Sequence, residues 1–319
     1  MKHNIKTANW LKAGFLLISI AAMFYACQPD VVNPGLGTKP VPNFTATVAA
    51  DGHTVLLANT SSVPSMPCWA VPDLLLQYKD LKGDSMKVNF VFPGTYTIKM
   101  LVAGAGGIDS ITKTITTTQP DPNACAQTTP LGFLASCTSK VWKMNPAAGS
   151  IKCGQFAGGG EWWSSGTSDV TARSCFFNDT WTFTFNKAGD MVYDDKGDFY
   201  DDGYIGTVFS NSCHPSSGYT TAQKPWGSGN FKYSVIAGAG VKGLGQIKLI
   251  GLGAHFGVPK SVNGNEMPTG PTATSVTYDI WSMTHVSDTS GTYDLLMVTL
   301  HYGNWSPTDG WWTFTLRSY

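Results

Sequence analysis

The sequence predicts an all-β protein built in two units, and three observations predict it. Apolar and polar residues alternate with period two in short runs separated by turn formers. Glycine is plentiful, with 35 residues, and aromatics make up 12%, whereas only 13% of the chain is charged, about half the usual quarter. Almost no segment spaces its apolar residues to bury one face of a helix. At 319 residues there is room for two domains of ordinary size.

The chain opens on Lys2, Lys6 and Lys12, followed by an apolar run over residues 13–25 that ends at Ala26-Cys27. The run is short of the roughly 20 apolar residues that a spanning helix needs, so residues 1–27 read as an export signal. Phe24-Tyr25-Ala26-Cys27 resembles the lipobox of bacterial lipoproteins, which is cut before a cysteine that is then acylated. That pattern prefers Leu at the first of these places and a small residue at the second. An ordinary signal peptide ending beside a cysteine is the alternative. Either way the mature protein works outside the cytoplasm.

The whole chain holds 21 basic and 21 acidic residues, and removing the signal takes away three lysines and no acid. The mature chain is then slightly acidic and carries no basic stripe, which argues against nucleic acid as a partner. Beyond Cys27 stand Cys68, Cys125, Cys137, Cys153, Cys175 and Cys213, an even number in an oxidising compartment, so disulfides are expected. Either one of the later five reaches back to Cys68, or two stay free. With no C-x-x-C and no H-x-x-x-H, a structural zinc site is not expected.

Residues 28–42, rich in Pro and Gly, read as a tether. From 43 to 118 the chain alternates over 44–48, 54–58, 86–92, 95–102 and 108–116, with turns at Pro93-Gly94 and 104–107. This is the pattern of a small β-sandwich. Phe92-Pro93-Gly94-Thr95-Tyr96-Thr97-Ile98 and the strand at 111–115 resemble a PKD domain, an immunoglobulin-like module. The W-D-F-G-D-G stretch of that family would fall near Trp69, which is followed here by Ala70-Val71-Pro72-Asp73. The fold carries over; any function tied to that loop does not.

Residues 119–124 form a linker with two prolines. Residues 125–319 hold nine of the eleven tryptophans. Strands are expected at 180–185, 190–193, 229–236, 246–250, 275–281, 293–302 and 311–316. Seven or more strands without a convincing helix suggest a sandwich or jelly roll with long connections. The connection from 255 to 275 is too long for a tight hairpin and reads as a loop across one face.

Exposed tryptophan in such a scaffold is best matched by carbohydrate, because the C–H face of a pyranose stacks on indole while its hydroxyls bond to Asp, Asn and Gln. Trp162 and Trp163 sit in a glycine-rich polar frame with Glu161 beside them. Adjacent strand residues point to opposite faces, so one of the pair is hard to bury. Trp226 and Trp305 are flanked by turn formers, where an apolar ring calls for a ligand. Trp142, Trp181 and Trp281 occupy strand-like settings and read as core, and one of Trp311 and Trp312 should face inward. Trp162 and Trp163 could instead cap the open end of a sandwich.

Catalysis finds less support. Retaining glycosidases set two carboxylates about 5 Å apart, commonly as E-x-D-x-x-E in jelly rolls, and no such pattern occurs. The chain has two glutamates, Glu161 and Glu266, and Glu161 is the best lone acid. Asp194, Asp195 and Asp198, followed by Asp201 and Asp202, fit a solvated acidic turn or a calcium loop. No G-x-S-x-G is present. Cys213-His214 reads as a disulfide half beside a loop histidine, and His255, His285 and His301 lack metal spacing.

Within the second unit, Val141-Trp142-Lys143-Met144, Glu161-Trp162-Trp163-Ser164 and Asn178-Asp179-Thr180-Trp181 with Gly189-Asp190 resemble modules that follow PKD domains. So do Tyr278-Asp279-Ile280-Trp281 and Gly310-Trp311-Trp312. Together with the signal and the first unit, the chain resembles PKD-containing surface glycan-binding lipoproteins of Bacteroidota polysaccharide-utilisation systems. The resemblance implies a lipid-anchored protein of the outer membrane that captures polysaccharide for uptake without cleaving it. Transporter components and outer-membrane lipid are the implied partners, and no cofactor is implied. The rival readings are a glycoside hydrolase or lyase using Glu161 with an Asp, and a structural adhesin or protein-docking module.

Overall fold

A computed structural model describes residues 37–71, 76–78, 81–201, 211–305 and 308–319. Cys27 and most of the tether lie outside them. No described helix is long and apolar enough to cross a membrane.

The first unit is a sandwich of two three-stranded antiparallel sheets. One holds β1 (Phe44–Val48), β2 (Thr54–Asn59) and β5 (Ser85–Asn89) in that order; the other holds β3 (Met66–Ala70), β6 (Gly94–Gly104) and β7 (Gly107–Thr117). Alternation sends Phe44, Val55, Leu57, Trp69, Tyr96, Ile98 and Met100 into one core. Its buried polar atoms are satisfied, as interiors require. The Tyr96 hydroxyl donates to the Phe92 carbonyl at 2.6 Å and the Trp69 indole to Gly83 at 2.9 Å. Strand β3 was not legible as a strand, because Pro67 and Cys68 interrupt the β-branched pattern.

The second unit is all-β as expected, but its strands are not wound as a jelly roll. They are β8 (Ser139–Met144), β9 (Ile151–Gly154), β10 (Trp163–Ser164), β11 (Thr180–Thr184) and β12 (Asp190–Asp194). Next come the hairpin of β13 (Asp198–Asp201) with β14 (Ser212–Pro215), then β15 (Gly229–Ala237) and β16 (Gln246–Ile250). A small hairpin of β17 (Ser261–Val262) with β18 (Asn265–Glu266) precedes β19 (Ser275–Asp288), β20 (Gly291–Trp305) and β21 (Thr308–Ser318). In the sheet each long strand lies beside the next one in sequence: β8, β11, β12, β15, β16, β19, β20, β21. Strand β21 then pairs back to β8 through Leu316↔Met144 and to β9 through Phe314↔Ile151. The ring closes as an up-and-down antiparallel barrel, which removes the sheet edges.

Eight strands enclose a space just wide enough for side chains to fill. Period-two positions fill it: Trp142, Trp181, Phe183, Tyr233, Leu249, Tyr278, Val298 and Phe314 are all buried in one cluster. The tryptophans expected in the core are there at 142 and 181. Trp281 is not, because Val276, Tyr278 and Ile280 take the inward positions of β19 and alternation turns Trp281 outward. It lies half-buried on the outer wall, with Gly158 packed so closely that a Cβ there would fall 2.4 Å from the ring.

The two ends of the barrel differ. At one end the connections are short, and the helix Pro130–Ala135 lies across it, capped by the Thr129 hydroxyl and begun by Pro130. The Trp142 indole donates to the Leu134 carbonyl of this helix at 2.8 Å, and the Cys125–Cys137 disulfide brackets it. The first unit docks at the same end. Strand β4 (Leu76–Tyr78) runs parallel to β15 at Val235–Ala237, and Phe92 meets Phe185 with ring centroids 5.0 Å apart. At the other end stand the long connections: 155–162, 195–228 and 251–274.

Candidate functional site

A cavity of about 320 Å³ opens among those long connections. Trp162, Trp163 and Trp226 all line it, although they come from segments far apart in sequence, and Trp312 from β21 joins them. Trp162 stands in water, 45% exposed. Trp163 is half-buried at the start of β10, held there by the pairing Trp163↔Cys153 with β9. The alternation expected for this pair is what separates their environments.

Trp226 departs from the expectation of an exposed loop ring. It ends a 3-10 turn, Lys224–Trp226, and is only 1% exposed. There it packs with Tyr219 and Phe199 in a small satellite core, and its indole N–H has no partner. The turn formers around it serve close packing: a Cβ at Gly253 would fall 1.9 Å from the Pro225 carbonyl oxygen. Trp305 closes β20, paired with Thr308, and its side chain lies outside the described part.

Glu161 is not a member of the lining. Its carboxylate accepts the Gln155 backbone N–H at 3.0 Å and fills space left open by two glycines. A Cβ at Gly154 or Gly159 would fall 2.1 or 2.2 Å from its oxygens. It organises the 155–161 loop that carries the tryptophans into place. Among the described residues that line the cavity none is Asp or Glu.

The remaining wall was not visible in the sequence. Arg173 joins the helices Thr167–Ala172 and Ser174–Phe177. Its guanidinium lies 4.9 Å from the Trp163 ring and 4.3 Å from the Tyr200 ring, and its Nε donates to Asp169 at 3.3 Å. Stacking of this kind contributes about 0.5–2 kcal/mol, more when water is excluded. The Cys175–Cys213 disulfide fastens this segment to β14 and thereby to Asn211. From the long 251–274 connection come Val258, Pro259 and Lys260. Lys260 is buried and paired at 3.2 Å with Glu266 across the β17–β18 hairpin.

Among the described residues Cys153 and Cys68 are free cysteines, half-buried and exposed respectively. Cys153 lines the cavity, 3.4 Å from the Tyr302 hydroxyl, and burial pushes its thiol up, so it stays protonated at neutral pH.

The acidic run lies behind this end. The carboxylates of Asp194, Asp195 and Asp198 turn to separate donors rather than to a common point. Asp194 bonds Lys196, Asp195 accepts from Ser228 at 2.6 Å and Ser216 at 2.7 Å, and Asp198 accepts from Asn178 at 3.2 Å. Among the described residues no group of three acids, histidines or cysteines is placed to hold a metal. Burial opposes the charge of Asp195, but the two hydroxyls outweigh it and lower its pKa. Nearby, buried Asp179 accepts the Tyr193 hydroxyl at 2.8 Å. Burial and the neighbouring aspartates hold its carboxyl well above the usual range. His255, also buried, donates from Nδ1 to the Gly253 carbonyl at 2.8 Å, and burial pulls its pKa down to about 4.

No family model matches the chain, and no curated protein matches it. Among solved structures it is similar to the PKD1 domain of Vibrio anguillarum Epp at 21% identity and a TM-score of 0.22. That match covers 26% of this chain and 98% of the Vibrio domain.

Proposed function

We propose that this protein is a non-catalytic saccharide-binding lipoprotein, anchored at the outer membrane through Cys27, that captures glycan for uptake by a neighbouring transporter. One observation carries the reading: four tryptophans converge on a cavity at the open end of a closed barrel. A barrel of this size can hold one small ligand at its mouth. The volume falls at the low end of the roughly 300–1,000 Å³ typical of ligand sites, so the site takes a short stretch or an end of a glycan rather than a long chain. Indole faces suit the C–H face of a sugar ring. The first unit docks on the opposite end and serves as a spacer that holds the opening away from the membrane. Its PKD-like character and the Bacteroidota polysaccharide-utilisation setting belong to this proposal.

Nothing in the lining favours the hydrolase reading, since Glu161 is committed to its own loop. The test is intrinsic tryptophan fluorescence of the mature chain titrated with oligosaccharides, alongside an assay for new reducing ends. Saturable spectral change without new ends is expected. Product that vanishes in Glu161→Gln would overturn the non-catalytic reading.

A further inference from the structure

Resting on that reading, we infer that the saccharide unit bound here carries a carboxylate or sulfate, recognised by Arg173 and Lys260. The polar groups of the cavity are strongly one-sided. Among the described residues of the lining two side chains are cationic and none is acidic, and the indoles can only donate. Asp169 pairs with Arg173 and Glu266 with Lys260, and neither acid is part of the lining. Each cation is thus paired with an acid from outside the lining, which offsets the cost of burying it, while no carboxylate of the described residues lines the cavity.

A neutral sugar presents hydroxyls that must donate as well as accept. Sites for such rings therefore supply several acceptors, whereas the Asn211 amide and the Tyr200 hydroxyl are the side-chain oxygen acceptors among the described lining residues. An anionic group only accepts, which is what this set of donors can satisfy. Arginine suits it further, because its planar fork matches a carboxylate or sulfate in a way a point charge does not. Trp163 and Tyr200, on which the guanidinium lies, fix that plane. The ligand then has two features: a flat apolar face for the indoles and an anionic substituent at the ring edge.

The experiment is calorimetric titration of the mature chain with trisaccharides of glucuronic acid, galacturonic acid and 6-sulfated galactose, against the neutral glucose and galactose trisaccharides. At low salt an acidic member should bind about tenfold or more tightly than its neutral counterpart, and the gap should narrow at high salt. Arg173→Gln should bring the two affinities close together, with Arg173→Lys intermediate. Lys260→Gln paired with Glu266→Gln removes the second cation without stranding its partner, and should also shrink the gap. Melting curves establish that each variant is folded. Neutral trisaccharides binding as well as acidic ones would overturn this inference while leaving the saccharide reading intact. A preference that survives in both variants would overturn it too. If no member of the panel binds, both fall.

Discussion

At the scale of single residues, two tryptophans that look alike in sequence differ in what their loss would do. Trp162 stands in water and carries little of the fold, so Trp162→Ala should leave the melting temperature nearly unchanged. Loss of one stacked ring should weaken saccharide affinity by about 1 kcal/mol, roughly fivefold. Trp226 is buried, and Trp226→Ala should cost about 3–5 kcal/mol of stability, which thermal unfolding will separate from a loss of binding. Two buried titratable groups make opposite demands on pH. The native pKa of Asp179 is raised, so its contribution is full below its ordinary value of 3.8 and declines as pH rises. Asp179→Asn keeps an acceptor for Tyr193 and should match the parent near pH 4, then become progressively more stable than it as pH rises toward 8. His255 is depressed from 6.5 to about 4, so its contribution is full above 6.5 and lost as pH falls toward 4. His255→Gln should flatten that acid limb in melts recorded across the range. Little at this scale was legible beforehand. The exposure of Trp162 followed from alternation, but the burial of Trp226 depends on Gly253, 27 residues further on, letting the chain approach.

At the scale of elements, legibility tracked period two. Strands β11, β12, β15, β16, β20 and β21 follow the alternating runs within a few residues, because one face of each meets a single interior, whereas β19 runs seven residues past its expected end at 281. Strands β8 and β9 escaped notice for a physical reason. They run the same way along β21 as one strand position interrupted at 145–150. Strand β9 is only four residues long, and in β8 Lys140 shares the face of Trp142 and Met144 while Val141 takes the other, so no apolar–polar alternation shows. The short helices were missed likewise: six or fewer residues span under two turns, too few for an apolar stripe. Cavity residues on these elements, Arg173 and Phe176, left no signal except the nearby Cys175. That cysteine anchors the wall. Removing the Cys175–Cys213 disulfide by Ser substitution should cost roughly 3–4 kcal/mol through the 38-residue loop it closes. It should also weaken saccharide binding in the same calorimetric cell. The Cys125–Cys137 link lies at the far end, so its removal should lower the melting temperature while affinity persists.

At the scale of the whole molecule, closure of the barrel was the feature that sequence could not supply. Seven expected strands are compatible with a sandwich or a barrel alike, and the choice rests on the pairing of β21 with β8, which lies 172 residues earlier at Leu316↔Met144. Closure has a consequence for function, because it gives the molecule two unlike ends. The helix Pro130–Ala135 and the first unit occupy one, and the tryptophans gather at the other. A chain lacking the first unit should therefore melt at a lower temperature, having lost β4 and the Phe92–Phe185 contact, yet keep its saccharide affinity. The account rests above all on a ligand entering the open end, and the thiols of Cys153 and Cys68 report on this directly. Cys153 lines the cavity, whereas Cys68 is exposed on the first unit. Maleimide labelling of the mature chain, mapped by mass spectrometry with and without saturating oligosaccharide, is the measurement. The account predicts that saccharide slows labelling of Cys153 and leaves Cys68 unaffected. Equal labelling of Cys153 in both conditions, with saccharide demonstrably bound, would contradict it.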